Sequence, residues 1–429
     1  MEADMLLILF GVFLLAMTIN VPIAFCLGMG VYVAMALTTN LPTTVISLKM
    51  FSMLNNFSLL AIPLFVLAGQ LMNRSSITTR LLILAKALIG HVRGGLAMAN
   101  VLASMFFGGI SGSSLADVAS IGSMVMPEMK KEGYDENFTG AVTAASATLG
   151  GIIPPSISFV LYGTVAGTSV AALFLAGVIP GILLGLVQMI YCSFYARTHH
   201  QPITPRMPFN EIVKVLGINV IPLGMPVIIV VGIYGGVFTA TEAGVVSVIY
   251  ALIVGTLVYR TINFKDILDS LVETALVTAI PTLIIAFSGG FAFLSSYDDV
   301  PLQFSRFISA LTDNKVMILM LINVMLMIIG MFMDGAAVYP IVVPIFLPIL
   351  MKLGISPVHF GVIIVLNLSI GLLTPPVGGT LYAACAVGRL NPIEVTKKMI
   401  PFILIGTAVL LLVTYVPWIS EYLPSLMKK

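Results

Sequence analysis

Charge is what this chain lacks. Lys, Arg, Asp and Glu together make up 9% of its 429 residues, where a soluble domain carries roughly 25%. The 20 basic and 18 acidic side chains leave a net charge of +2. That balance offers no basic face for nucleic acid. Only three cysteines occur, Cys26, Cys192 and Cys385, each alone in an apolar run. No C-x-x-C or Cys/His spacing suggests a zinc or redox centre, so buried free thiols are expected. The four histidines (His91, His199, His200, His359) are scattered and suggest no proton relay. No G-x-x-x-x-G-K-[ST] string exists for ATP. No H-E-x-x-H and no paired acid/base spacing points to an enzyme.

What is present is apolar. Hydrophobic residues reach 59% and mean hydropathy is +1.11, more than a water-soluble globule of this size can hide. The main solvent is a lipid bilayer. At about 20 residues per spanning helix, the chain holds on the order of a dozen membrane segments. The N-terminus opens with Glu2 and Asp4 rather than a positive region, so the first apolar run reads as a retained helix.

Apolar runs follow one another with short connections, which predicts an all-α polytopic membrane protein. Met5–Leu37 is interrupted at Asn20-Val21-Pro22 and reads as two helices. Ser76–Val92 and Ile262–Leu276 have amphipathic patterns and read as interfacial arms. Leu96–Val125 has a Gly/Ser-rich middle, Gly108 to Ser114, with Asp117 just beyond, and reads as a re-entrant hairpin. Val316–Leu350 reads as a second, with Asp334-Gly335 at its tip. Phe138–Leu175 and His359–Gly388 read as helices broken at Pro154-Pro155 and Pro375-Pro376.

The two halves repeat. At an offset of 221, positions 109–155 match positions 330–376 with nine identities in 47, mostly Gly and Pro. These residues fix backbone geometry, so the repeated feature is a backbone shape. The span Phe57–Met72 is followed by Arg74, Arg80, Lys86 and Arg93, whereas its counterpart Val277–Leu294 is followed by Asp298 and Asp299. By the positive-inside rule the two run in opposite directions, which predicts an inverted-topology repeat. The basic clusters Arg197–Arg206, Arg260–Lys265 and Arg389–Lys398 fall in the cytoplasm in this tracing, and Lys428-Lys429 falls outside.

A helix cannot break in hydrocarbon without stranding polar groups, each costing several kcal/mol. The two Pro-Pro breaks, each preceded by Gly, must therefore be buried in protein or line a wet cavity. Their free carbonyl oxygens suit a hard cation such as Na⁺. Asp117 and Asp334 are the deepest carboxylates, each readable as a cation partner, and Asp117 equally as a helix N-cap. Ser111, Ser113, Ser114 and Ser158 could offer hydroxyls to a cation or substrate, or bond their own helix carbonyls. Arg389 reads as a snorkelling residue or an attractor of anions.

Several strings resemble the large membrane subunit of tripartite ATP-independent periplasmic (TRAP) transporters. They are Pro127 to Asp135, the Gly150–Ser156 break, Val237-Phe238-Thr239-Ala240-Thr241-Glu242-Ala243-Gly244, and Thr374-Pro375-Pro376-Val377-Gly378. The resemblance runs the whole length, with the sialic-acid branch favoured and a C4-dicarboxylate branch next. It implies a bacterial inner-membrane elevator that imports an organic acid on a Na⁺ gradient. Its partners would be a small four-helix membrane subunit and a periplasmic substrate-binding protein. Carried over, one sodium site would use Ser111, Gly150, Ile153 and Pro155, and the other Gly330, Gly371, Thr374 and Val377. Asp117, Asp334, Ser113 and Ser158 would line the substrate region. The transport domain would comprise 94–196 and 310–395. Residues 1–93, 197–309 and 396–429 would form the scaffold, with an arm in each of the first two. The alternative is a stand-alone Na⁺- or H⁺-coupled dicarboxylate symporter or antiporter.

Overall fold

In hydrocarbon every backbone N–H and C=O must find a partner within the chain. The computed structural model, which describes residues 2–199, 201, 208–312 and 314–427, meets that demand with α-helices and no strand among the described residues. Expectations placed on His200, Arg206, Lys428 and Lys429 lie outside the described residues. Seven of the described helices are long and apolar enough to cross a bilayer, or eight if one bent pair counts as a span.

The chain opens with α1 (Glu2–Thr18) and α2 (Ile23–Thr38), which meet at a turn where Asn20 has φ 61°. Next come α3 (Thr44–Leu54), α4 (Ala61–Arg74) and the first arm, α5 (Ile77–Ile89). The first hairpin is α6 (Gly95–Ser111), then α7 (Ser114–Asp117), a π-helical turn and α8 (Ser123–Lys131). The first broken helix is α9 (Glu136–Ala147) with α10 (Ile157–Ala166), and α11 (Val170–Thr198) returns. The middle of the chain supplies α12 (Phe209–Asn219), α13 (Gly224–Tyr234) and α14 (Ala240–Leu252). The second half holds α15 (Phe264–Tyr297), α16 (Val300–Leu311), the hairpin α17 (Lys315–Phe332) and α18 (Gly335–Lys352), and the broken helix α19 (Pro357–Gly371) and α20 (Gly379–Gly388). It closes with α21 (Pro392–Tyr415) and α22 (Trp418–Ser425).

One expectation needs correcting. The stretch Ile262–Leu276 is not a separate arm: nearly all of it forms the start of the 34-residue α15. Its polar face is used by Arg74, whose guanidinium reaches Asp266 at 3.5 Å, Asp269 at 3.8 Å and Glu273 at 2.5 Å. The positional counterpart of α5 is α16, since 77–89 shifted by 221 gives 298–310. Lys and Glu are missing from α16, which hides its interfacial character from a charge-based reading.

Ion pairs and hydrogen bonds between helix ends establish the inversion. Lys86 of α5 pairs with Glu128 of α8 at 2.9 Å, so the first hairpin ends on the face where it began. Tyr415 at the end of α21 donates to the Val316 carbonyl at 3.1 Å, and Ser356, just after α18, bonds Glu421. The second hairpin therefore begins and ends beside the α21 C-terminus. Asp135, which caps α9, pairs with Lys398 near the α21 N-terminus at 3.0 Å. Burial pushes the Asp135 carboxyl up, but Lys398 and the N–H groups of Phe138 and Asn137 outweigh it and hold it below the usual carboxylate range. Tyr162 of α10 donates to the Pro357 carbonyl at the start of α19 at 2.6 Å. The broken helix α9–α10 thus starts at one face and ends at the other, and α19–α20 runs back. The basic ends near Lys131, Arg197, Arg260 and Arg389 share the first face, which is cytoplasmic by the positive-inside rule.

Each hairpin is tied to its broken helix by a buried polar contact. In the first half Ser104 bonds Ser146 at 2.9 Å and Asn100 bonds Thr143 at 2.8 Å. In the second, Asn367 donates to Asn323 at 2.8 Å and Asn323 to Thr414 at 3.2 Å. Asn367 is the 221-offset mate of Ser146.

Two outcomes follow. An impermeant maleimide should label Lys352→Cys from the periplasmic side of intact cells, and Lys131→Cys only after the membrane is opened. Asn323→Ala strands two buried partners and should lower unfolding stability in detergent by about 1–2 kcal/mol, read by thermal unfolding, with Thr414→Val adding less than its separate cost.

Candidate functional site at the two helix breaks

The first break forms because two prolines follow a glycine pair. The helix tightens into a 3₁₀ turn, Thr148–Gly151, and the N–H groups of Ile152 and Ile153 share the Leu149 carbonyl at 3.0 and 2.8 Å. The next helix starts at Ser156, whose hydroxyl accepts from the Phe159 N–H at 3.3 Å and donates to the Gly151 carbonyl at 2.6 Å. Between these caps the carbonyls of Ile153 and Pro155 accept no hydrogen bond from the described residues. The hairpin tip presses on this break. Gly112, at φ 63°, gives its carbonyl to the Ile157 N–H at 3.2 Å, and a Cβ there would lie 2.6 Å from the Pro155 oxygen.

Asp117 lies beside the same break and is fully buried. Its Oδ1 accepts from the Ser111 hydroxyl, and its Oδ2 has no partner. A Cβ on Gly150 would stand 2.9 Å from the Asp117 carboxyl carbon. The N-cap alternative for Asp117 is not what forms: Ser113 caps α7, accepting from the Ala116 N–H at 3.5 Å. Ser111, Gly150, Ile153, Pro155 and Asp117 are brought together.

The second break is built the same way with different chemistry. Thr374 donates its N–H to Gly371 and its hydroxyl to the Ile370 carbonyl, both at 2.9 Å. Val377 reaches back to the Met331 carbonyl of the hairpin at 3.2 Å. The carbonyls of Thr374 and Val377 accept no hydrogen bond from the described residues. Gly330 and Gly371 touch backbone to backbone, since a Cβ on Gly371 would fall 2.5 Å from the Gly330 carbonyl. The first-half pair in this close approach is Gly108 and Gly150, at 2.8 Å from a Cβ on Gly108 to Gly150 Cα, so Gly108 rather than Gly109 is the spatial mate of Gly330. The Pro154–Pro155 and Pro375–Pro376 bonds are both cis.

Asp334 is the N-cap of α18, accepting from the Ala336 N–H at 3.1 Å, and is exposed at the hairpin tip. Only the first break carries a buried carboxylate. The two breaks also meet each other. A Cβ on Gly151 would lie 3.1 Å from the Ser114 hydroxyl, 3.6 Å from Ser369 and 3.9 Å from Ser158. Ser158 sits against Tyr339, two turns or less from Asp334. The result is a hydroxyl-lined zone between the halves, and none of these side chains is basic. Sequence reasoning missed Ser369 and Tyr339. Ser369 was reachable as the 221-offset mate of Thr148, but Tyr339 aligns with Val118 and leaves no trace in the repeat.

The string Val237–Gly244 has a structural task. Thr239 and Glu242 form a reciprocal capping box, with the Thr239 N–H donating to Glu242 at 2.8 Å. The Thr241 hydroxyl donates to the Phe57 carbonyl at 3.2 Å, which seats α14 on the start of the first span.

The tight glycine contact gives a direct outcome. Gly371→Ala should destabilise by about 1–3 kcal/mol through overpacking. Gly11→Ala, where nothing lies within 4 Å, should be neutral or stabilising by up to about 1 kcal/mol. Thermal unfolding of both variants checks this.

Comparison with known proteins fits this geometry. Residues 10–419 match the family model "Tripartite ATP-independent periplasmic transporter, DctM component". The chain is 42% identical over 424 residues to the uncharacterized protein YgiK of Salmonella typhimurium, covering 98% of this chain and 97% of that one. It is 38% identical over 410 residues to the sialic acid TRAP transporter large permease SiaM of Vibrio cholerae, covering 95% of each. Other relatives are named for isethionate, C4-dicarboxylates and ectoine. Among solved structures, the Alcanivorax borkumensis YdaH transporter, described as having an unusual topology, shares the fold with a TM-score of 0.64 at 16% identity, over 91% of this chain and 92% of that one. The chain is therefore a multi-pass inner-membrane transport permease rather than an enzyme, and it belongs to the DctM component family of tripartite ATP-independent periplasmic transporters.

Proposed function

We propose that this protein is the large subunit of a Na⁺-coupled importer of an organic acid, with sialic acid the first candidate and a C4-dicarboxylate the second. The carrying observation is Asp117, a fully buried carboxylate whose Oδ2 has no partner, beside a helix break with free carbonyls. A buried charge without a counter-ion is strongly destabilising, and a hard cation held by carboxylate, hydroxyl and carbonyl oxygens relieves it. Ser111, Gly150, Ile153 and Pro155 form this Na⁺ site, and Gly330, Gly371, Thr374 and Val377 form a second, uncharged one.

Substrate sits between the halves, near Ser113, Ser158, Asp334 and Tyr339. Hydroxyls dominate there and basic groups are missing, which favours a polyhydroxylated acid whose charge is balanced by the bound Na⁺. This SiaM-like preference leads over the dicarboxylate, isethionate and ectoine alternatives.

Residues 94–196 and 310–395 move as a transport domain against a scaffold of 1–93, 197–309 and 396–429. Small-residue contacts at the boundary support this reading: a Cβ on Gly69 would lie 3.4 Å from Ser111 Cα, and one on Gly109 would lie 3.0 Å from Pro226. A separate small membrane subunit and a periplasmic binding protein complete the transporter.

Uptake into proteoliposomes of the assembled complex tests the reading. It should require an inward Na⁺ gradient and the binding protein, and fall about tenfold or more, equivalent to about 1.4 kcal/mol, in Asp117→Ala and Ser111→Ala. Full Na⁺ dependence retained by both variants would remove the assignment of the first site. Uptake without the binding protein would favour a stand-alone symporter.

A further inference from the structure

Helix α11 presents one long stripe to the bilayer. Leu186, Met189, Ile190, Ser193, Phe194 and Arg197 follow the helical repeat for three turns, about 16 Å at 1.5 Å per residue. They form one wall of a groove of about 510 Å³, whose other wall is Ile89 at the end of the arm α5 and Met98 on the first hairpin. A volume of that order is in the range of small-molecule sites. Apart from Ser193, the walls are apolar until the cytoplasmic end, where Arg197 stands.

The backbone next to a second basic residue, Arg93, packs against the same end of α11. Gly94 packs onto the last turns of α11, its Cβ position 2.7 Å from Ala196 and 2.9 Å from the Cys192 carbonyl. Arg93 is thereby held beside the last turns of α11. Both Arg93 and Arg197 are exposed, and neither pairs with a carboxylate among the described residues. Several other basic groups of this face are engaged, Arg74 with three carboxylates, Lys86 with Glu128, and Lys398 with Asp135, and Lys131, Arg260 and Arg389, unpaired among the described residues, do not line this groove. A largely apolar channel that ends at the unpaired Arg197, with the unpaired Arg93 one residue from the Gly94 contact, at the cytoplasmic membrane surface, is complementary to one molecule type. We infer that the groove is a binding site for an anionic phospholipid of the inner leaflet. An acyl chain lies along Leu186–Phe194 and the phosphate lies between Arg93 and Arg197. Basic pockets of this kind between helices hold anionic head groups, and each Lys or Arg near the surface contributes a severalfold increase in affinity. The occupant bridges the arm and the first hairpin, two elements joined in sequence only by the loop 90–94. The inference does not depend on which substrate is carried.

Native mass spectrometry of the purified full-length protein, titrated with phosphatidylglycerol and phosphatidylcholine, tests it. Wild type should retain phosphatidylglycerol about fivefold or more over phosphatidylcholine. Arg197→Ala or Arg93→Ala should each reduce that ratio severalfold, whereas Arg306→Ala, an exposed charge on α16, should leave it unchanged. Ile190→Trp should displace bound lipid of either head group. Equal retention of the two lipids by wild type would overturn the inference, as would an unchanged ratio in both arginine variants. So would cross-linking of Ile190→Cys to another polypeptide in the assembled transporter.

Discussion

Hydrocarbon offers no hydrogen bonds, and that constraint shapes this protein more than any single contact. A chain in lipid can afford irregular backbone only where other parts of the protein surround it. Here each Pro-Pro break is enclosed by its own re-entrant hairpin, whose tip is pressed against it. Gly112 supplies a carbonyl to Ile157, and Met331 supplies one to Val377. What the hairpins leave unpaired is specific: carbonyls of Ile153, Pro155, Thr374 and Val377. The local rule that forbids broken helices thus becomes the means of collecting oxygen atoms at two places.

The same logic explains why small residues gather at the breaks. Gly108 against Gly150 and Gly330 against Gly371 bring hairpin and broken helix to backbone contact, where a single methyl would intrude. The two halves share this shape but differ in charge. The first encloses Asp117, while the second places its carboxylate, Asp334, at an exposed cap. Inversion of one backbone design has produced two unequal environments, one with a buried carboxylate beside the break and one without.

Much of this was legible in the sequence. The hairpins, both breaks and their opposite directions could be read because Gly, Pro and basic residues carry their meaning locally. The second arm was misplaced for a physical reason: Asp266, Asp269 and Glu273 mimic an interfacial helix, but their polar face is consumed by Arg74 from a distant helix. The true counterpart, α16, has a single Arg306 and gives no charge pattern to follow. At the first break, Ser111, Gly150 and Asp117 do come together in space. Tyr339 joins that region through tertiary contact alone and leaves no trace in the repeat, whereas Ser369 was within reach of the 221 offset. The Thr239–Glu242 string, part of the family resemblance, forms the start of a helix.

The Arg74 cluster links two distant parts of the chain at one face. Three carboxylates from the cytoplasmic overhang of α15 converge on one guanidinium at the end of α4, cross-bracing the two inverted halves at that face. No ion pair among the described residues joins α4 to α15 at the opposite face. Both helices belong to the proposed scaffold, so this cluster braces the frame itself at its cytoplasmic edge, while the Tyr162–Pro357 hydrogen bond ties the halves at the other face.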